Sequence, residues 1–219
     1  MKSSLDSDVT SEIIRPEIFA AAAPDFRYGE AMKHRVTLFA LLLTTCIPLA
    51  AQTPVQLTPD EQALMEAAYL GKLDEVRRLV MDGTSVDVID DERRTPLLWA
   101  AFNGHTAVAE YLLDAGADIE NKDSNGWTAL MYAASGPFEE TVRLLLLSGA
   151  EVNVQGTLEG FTALMTAAAE GQVEVVRVLL DHGADRSIED SDGDTALTFA
   201  RQNGHTEVVE LLETPPGGE

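Results

Sequence analysis

Residues 95–126 read TPLLWAAFNGHTAVAEYLLDAGADIENKDSNG, and the organisation of the whole chain follows from how this stretch returns. Thr95-Pro96-Leu97-Leu98-Trp99-Ala100-Ala101 comes back as Thr128-Ala129-Leu130-Met131-Tyr132-Ala133-Ala134. It returns again as Thr162-Ala163-Leu164-Met165-Thr166-Ala167-Ala168, and finally as Thr195-Ala196-Leu197-Thr198-Phe199-Ala200. The threonines step by 33, 34 and 33 residues. A second landmark keeps that step: Gly83, Gly116, Gly149 and Gly183 each close an apolar stretch. Two landmarks in one register define an internal repeat of the length that marks a solenoid.

Within each unit the pattern predicts helix, turn, helix and a loop rich in Asp, Asn and Gly. The first helix starts at the threonine, whose hydroxyl can take up a free backbone N–H, with Pro96 tolerated at the first helical position. It ends near Gly104, Gly171 or Gly204. The second places apolar residues at helical spacing, as in Val173, Val175, Val176, Val178, Leu179 and Leu180, and stops at a glycine able to adopt positive φ. Two short helices cannot bury their apolar faces alone, so neighbouring units must stack into a continuous core.

The period and the threonine box make the sequence resemble the ankyrin-repeat family, whose signature is a T-P-L-H-x-A box at about 33 residues; residues 104–126 resemble a near-consensus unit. The resemblance implies an all-α repeat fold, a solenoid of about five helix-turn-helix units with β-hairpin loops projecting along one edge. The units fall at about 59–93, 94–126, 127–160, 161–193 and 194–214. The first, with Gln62-Ala63-Leu64-Met65 in place of the threonine box, and the last, cut short by Thr214-Pro215-Pro216, read as capping units. Leu98, Met131, Met165 and Thr198 stand where the family has its box histidine, so apolar contact should replace the polar network there. Pro137-Phe138 replaces the inter-helix Gly-His of the third unit, and loop 154–160 holds the extra residue of the 34 step and should protrude or kink.

Ahead of the repeats, Met32-Lys33-His34-Arg35 leads into VTLFALLLTTCIPLAA at 36–51. A positive cluster, an apolar run shorter than the roughly 20 residues of a spanning helix, and small residues before polar Gln52 follow signal-peptide order. The expected cleavage lies between Ala51 and Gln52, giving a periplasmic or secreted product. Residues 1–31 are then a start assigned too far upstream, or a genuine disordered extension. Residues 52–58 read as a short linker and 215–219 as a disordered tail.

Composition narrows the function. The chain has 219 residues, with 37 Asp and Glu against 15 Lys and Arg, a formal charge of −22. Such a charge repels phosphate backbones and anionic lipid, so nucleic acid is not an expected partner. Nor is stable membrane insertion expected after signal cleavage. The lone cysteine, Cys46, lies inside the apolar run, so the exported part has neither a disulfide framework nor a cysteine nucleophile. The exported chain also holds no phosphate-cradling glycine loop, HExxH or Gly-x-Ser-x-Gly elbow. The expectation is a monomeric, non-enzymatic protein that takes no cofactor.

His105, His182 and His205 recur at repeat positions, which suits turn and helix-start roles. The clusters Asp90-Asp91-Glu92 and Glu189–Asp194 could attract a divalent cation but lack the calcium-loop pattern. Residues at positions the family leaves variable are the candidate partner contacts: Arg94, Trp127, Phe161 and Asp194 just before the box threonines, with Phe102 and Asn103 after the paired alanines. Trp127 and Phe161 are expected as adjacent exposed aromatics flanked by acids, the composition of an interface anchor. Trp99, Tyr132 and Phe199 fall within first helices, where burial competes. The leading expectation is a module that docks onto a protein bearing a basic patch; the alternative is a divalent-cation-binding exported protein or an accessory subunit of a periplasmic enzyme.

Overall fold

The computed structural model describes residues 56–214. The expected signal peptide at 32–51 with its cleavage point, the stretch 1–31 and the tail 215–219 lie outside the described residues. The described residues form ten helices in five antiparallel pairs: α1 (Pro59–Tyr69) with α2 (Leu73–Met81), α3 (Pro96–Phe102) with α4 (Thr106–Asp114), α5 (Ala129–Ala134) with α6 (Glu139–Leu147), α7 (Ala163–Ala169) with α8 (Val173–Asp181), and α9 (Ala196–Asn203) with α10 (Thr206–Glu213). Each first helix packs on the first helix of the next unit, and each second helix on the next second helix. Two layers result, inner helices α1, α3, α5, α7 and α9 backed by α2, α4, α6, α8 and α10.

The repeat pattern generates this directly. The hydroxyls of Thr95, Thr128, Thr162 and Thr195 accept the N–H three residues on, each capping the first helix that follows. Leu97, Leu130 and Leu164 repeat at the same core position, while Leu98, Met131 and Met165 fill the box-histidine position with buried apolar bulk. Thr198 instead completes a capping box with Thr195. In the first unit the helix starts one turn earlier than the box register suggests. Thr58, followed by Pro59 and Glu61, forms a capping box at the start of α1, so Gln62–Met65 lie inside the helix.

The second helices bury one face each, as with Val76 and Leu79, Val108 and Leu112, Val142 and Leu145, and Val176 and Leu179. Where helix turns into helix, the rings at 105 and 205 lie over Gly71 and Gly171 of the preceding units, and each ring Nε2 sits 3.0 Å from a carbonyl there, of Tyr69 and Ala169 respectively. Phe138 takes this place in the third unit and lies over Gly104. The altered Pro-Phe turn therefore keeps the stacking and gives up the hydrogen bond. His182 has a different role, its Nδ1 lying 2.8 Å from the Val178 carbonyl at the end of α8.

The loops expected as β-hairpins contain no strand among the described residues. Each is a tight turn closed by one hairpin-type bond: Asp90 N–H to Arg94 C=O, Asp123 to Trp127, Gly156 to Phe161 and Asp190 to Asp194. The turns are then stitched together. Ser124 donates to the Glu92 carbonyl, Thr157 to Asn125 and Ser191 to Glu159, at 2.8 to 2.9 Å. Three of the closures span five residues; the one from Gly156 to Phe161 spans six, which is where the extra residue is housed.

Candidate functional site

The acidic residues that open three of these turns act inward. The Asp90 carboxylate accepts from the N–H of Glu92 and Arg94 at 3.0 and 2.8 Å, and that of Asp190 from the N–H of Asp192 and Asp194 at 2.9 and 2.8 Å. Asp123, 5% exposed, accepts from the N–H of Asn125 and Trp127 and from the Tyr132 hydroxyl. These carboxylates are occupied in shaping backbone. No group of three His, Cys, Asp or Glu side chains converges as a metal site among the described residues. Nor is any helix among them long and apolar enough to cross a membrane.

The six candidate contacts are placed differently from one another. Arg94 is held by Asp90 at 2.8 Å and Glu92 at 2.6 Å, its guanidinium 4.3 Å from the centre of the Trp99 ring. Phe102 is half-buried on the inner helices between Trp99 and Tyr132, ring centres at 6.2 and 5.8 Å. Asn103 donates its amide to the carbonyls of Tyr69 and Trp99, tying its unit to the one before. Asn203 repeats that bond to Ala169. Asp194 is half-buried at the fourth turn.

Trp127 and Phe161 are neighbours, ring centres 6.5 Å apart and nearly perpendicular, but they are not exposed. Only 7% and 6% of their surfaces reach solvent. The residue before each box threonine tucks under the turn, where Tyr132 packs on Trp127 and Phe199 on Phe161. The expectation of an exposed aromatic pair is therefore corrected: these rings are core between turn and inner helix.

They belong to a larger feature that residue-by-residue reading did not anticipate. Tyr69, Trp99, Phe102, Tyr132, Trp127, Phe161 and Phe199 form an unbroken series of edge-on or tilted ring contacts, centres 5.3 to 6.5 Å apart, from the first unit to the fifth. Such geometry sets ring edges against the electron-rich faces of their neighbours. Tyr69, Phe102 and Tyr132 are the members only half-buried, so the series surfaces along the inner helices of the first three units. The available signal was in the sequence: the fifth position of the box is Trp99, Tyr132 and Phe199 in three of four units. The Trp99 Nε1–H is buried without an acceptor.

Burial, and then the negative charge of Asp123, push the Tyr132 phenol far above its ordinary range. Partial burial, then Asp190 and Asp192, raise the Glu159 carboxyl, and partial burial raises that of Glu170.

The comparison with known proteins accords with this geometry. A family model of ankyrin repeats in three copies matches residues 64–156 and again 138–216. The chain belongs to the ankyrin-repeat family. It is 41% identical over 93 residues to 26S proteasome non-ATPase regulatory subunit 10 of Dictyostelium discoideum, an alignment covering 42% of this chain and 40% of that protein. It is 42% identical over 124 residues to human ankyrin repeat and KH domain-containing protein 1, covering 57% of this chain and 4% of that protein. With human transient receptor potential cation channel subfamily A member 1 it shares 36% identity over 83 residues, 36% of this chain and 7% of that one. The chain thus spans less than half the length of each of these relatives. Ankyrin repeats serve as protein–protein interaction modules among such relatives, and the family is typically non-enzymatic. In this ankyrin stack the ring series is half-buried at Tyr69, Phe102 and Tyr132 on the inner helices.

Proposed function

We propose that the chain is an exported, monomeric docking module that binds another protein, one bearing a basic patch, through its inner-helix face and turn edge. The observation that carries this reading is half-buried Tyr132, continuous through Phe102 and Trp99 with half-buried Tyr69 and bonded by its hydroxyl to Asp123 of a turn edge whose exposed side chains include Asp91, Glu92, Glu159, Glu189 and Asp192. Aromatics with few rotatable bonds anchor interfaces, and surrounding charge steers approach and selects partners. Of the six candidate contacts, Phe102 is the anchor in this reading. Asn103 follows it in the chain and Arg94 lies over the Trp99 ring that Phe102 packs on, Asp194 stands further along the turn edge, and Trp127 and Phe161 continue the ring series behind Tyr132. Export rests on the signal-peptide order of residues 32–51, and the exported chain retains nearly the whole acidic excess, 31 acidic against 10 basic side chains beyond residue 51.

The test has two arms. Intact mass of the periplasmic product should begin at Gln52; retention of residues 1–31 or of the apolar run would overturn export. The chain from Gln52, immobilised and offered periplasmic extract, should capture a basic protein that elutes as salt shortens the Debye length from about 10 Å at 0.1 M to about 3 Å at 1 M. Phe102→Ala should lose that capture. A Phe102→Ala protein that captures as well as the wild type would remove the inner face from the interface.

A further inference from the structure

Every exposed tip of the turn edge is polar except one. Asp91 and Glu92, Ser124 and Asn125, and Ser191 and Asp192 stand out from the first, second and fourth turns. The third, the one closed over six residues, exposes Leu158 to 68%. A single surface leucine on a slack loop would signify little. This one is carried on a turn bonded on both sides. Gly156 N–H donates to Phe161 C=O at 2.8 Å, and the Gln155 amide donates to the carbonyls of Gly160 and Glu189 at 2.9 and 3.0 Å. Thr157 N–H reaches back to the second turn, and the Glu159 carbonyl accepts from Ser191 of the fourth, both at 2.9 Å. A side chain presented on fixed backbone gives up little freedom when it is buried in a partner.

The surroundings set the chemistry of that partner. Residues 154–161 and 189–194 contain no Lys or Arg, and Glu159 and Glu189 are both exposed. Although the Glu159 side chain reaches solvent, packing of the turn around it and then the charges of Asp190 and Asp192 hold its carboxyl above the usual range, and an incoming cation would relieve the like-charge part.

We propose that the third turn is a preformed apolar finger for a basic amphipathic segment of the partner: Leu158 enters the segment's apolar face while Glu159 and Glu189 pair with the Lys or Arg beside it. This rests on the docking function above and gives it a point of engagement and a partner chemistry.

The experiment measures binding of two short synthetic helical peptides to the full chain by fluorescence anisotropy, one with a leucine face flanked by lysines and one with those lysines replaced by glutamates. The variants are Leu158→Ser and the pair Glu159→Gln with Glu189→Gln. The controls are Leu147→Ser, exposed at the end of α6, and the pair Glu110→Gln with Asp114→Asn on α4. The lysine peptide should bind, and Leu158→Ser should weaken it tenfold or more, as for a leucine leaving an apolar contact. The Glu159 and Glu189 pair should weaken it and flatten its salt dependence, while both controls stay within twofold of wild type. Lysine-peptide binding that depends on salt but ignores Leu158→Ser would overturn the finger and leave the docking function standing. Equal loss in the control variants, or equal binding of the glutamate peptide, would also overturn the finger. Failure of the lysine peptide to bind at all would count against both readings.

Discussion

The Tyr132 hydroxyl donates to the buried carboxylate of Asp123 at 2.8 Å, joining the first turn of an inner helix to the loop nine residues before it. That carboxylate also accepts from two backbone N–H groups, so the bond fixes at once the loop, the Trp127 backbone and the half-buried phenol. Because burial and the Asp123 charge both oppose ionisation, the phenol stays protonated in the folded chain well above the value of about 10 at which it ionises unfolded. Above that pH the unfolded state holds fewer protons, so stability falls as pH rises. The contribution is whole below about pH 10 and is lost progressively above it. Urea melts between pH 8 and 11 should show a steeper alkaline decline for wild type than for Tyr132→Phe. At pH 7 the variant should be less stable by about 1.5–3 kcal/mol, the range for one hydrogen bond to a charged group.

Gly104 separates two reasons for a glycine. Its φ is +68°, and a Cβ there would lie 2.1 Å from the Phe138 ring; Gly83, at φ +99°, has nothing within 4 Å. Gly83→Ala should therefore lose only the left-handed penalty, about 1–2 kcal/mol. Gly104→Ala should lose more, and Phe138→Ala in the same chain should recover part of the difference, a coupling read from the double-mutant cycle. Equal losses at the two glycines would mean the ring moves aside freely.

Arg93 is the one described non-glycine residue with positive φ, at +63°, and it stands where the other turns have Gly126, Gly160 and Gly193. An exposed side chain gains nothing that offsets this strain. Replacement by glycine removes the roughly 1–2 kcal/mol left-handed penalty and gives back about 0.4–1 through the freer unfolded chain. Arg93→Gly should stabilise the protein by about 0.5–1 kcal/mol in denaturant melts, and a loss would point to an unrecognised contact of the Arg93 side chain.

Trp99 is 5% exposed and its Nε1–H has no acceptor, while its ring meets Tyr69 and Phe102 edge-on and carries the Arg94 guanidinium over its face. A buried unpaired donor is a liability, so Trp99→Phe, which deletes it and keeps a ring, should change stability by less than about 1 kcal/mol. Trp99→Ala should lose about 3–5 kcal/mol. Comparable losses for both would show the indole N–H to be bonded after all.

The repeat fold was legible because its determinants are local and recur: a threonine that caps, a leucine that packs, a glycine that stops. Each is decided within a few residues, and repetition removes ambiguity. The cap of α1 at Thr58 was equally written in the sequence, as Thr-Pro-x-Glu, but lay one turn outside the repeat register. Burial of the residues before the box was not legible, since it depends on whether a turn folds over them or away. For Trp127 the Asp123 carboxylate closes the turn on the N–H four residues on, but Phe161 is buried under a turn that closes from Gly156, and Arg94 and Asp194, held by Asp90 and Asp190, are only half-buried. The aromatic series was visible only as separate residues, because its continuity is a property of stacking between units.

Trp127 and Phe161 give the sharpest contrast between anchor and core. Both are buried and in edge-to-face contact at 6.5 Å, covered by Tyr132 and Phe199. An exposed anchor would tolerate truncation with its fold intact, whereas a buried ring leaves a cavity that close-packed neighbours fill only in part. Trp127→Ala and Phe161→Ala should each lose about 3–5 kcal/mol, while Leu158→Ala at the exposed tip should lose less than about 0.5 kcal/mol. Since the two rings interact, the double variant should lose less than the sum of the singles by about 0.5–1.5 kcal/mol, the worth of one aromatic pair. Urea denaturation of the four proteins measures all of these. A double variant that melts with the wild type would return both rings to the surface and restore them as direct contacts for a partner.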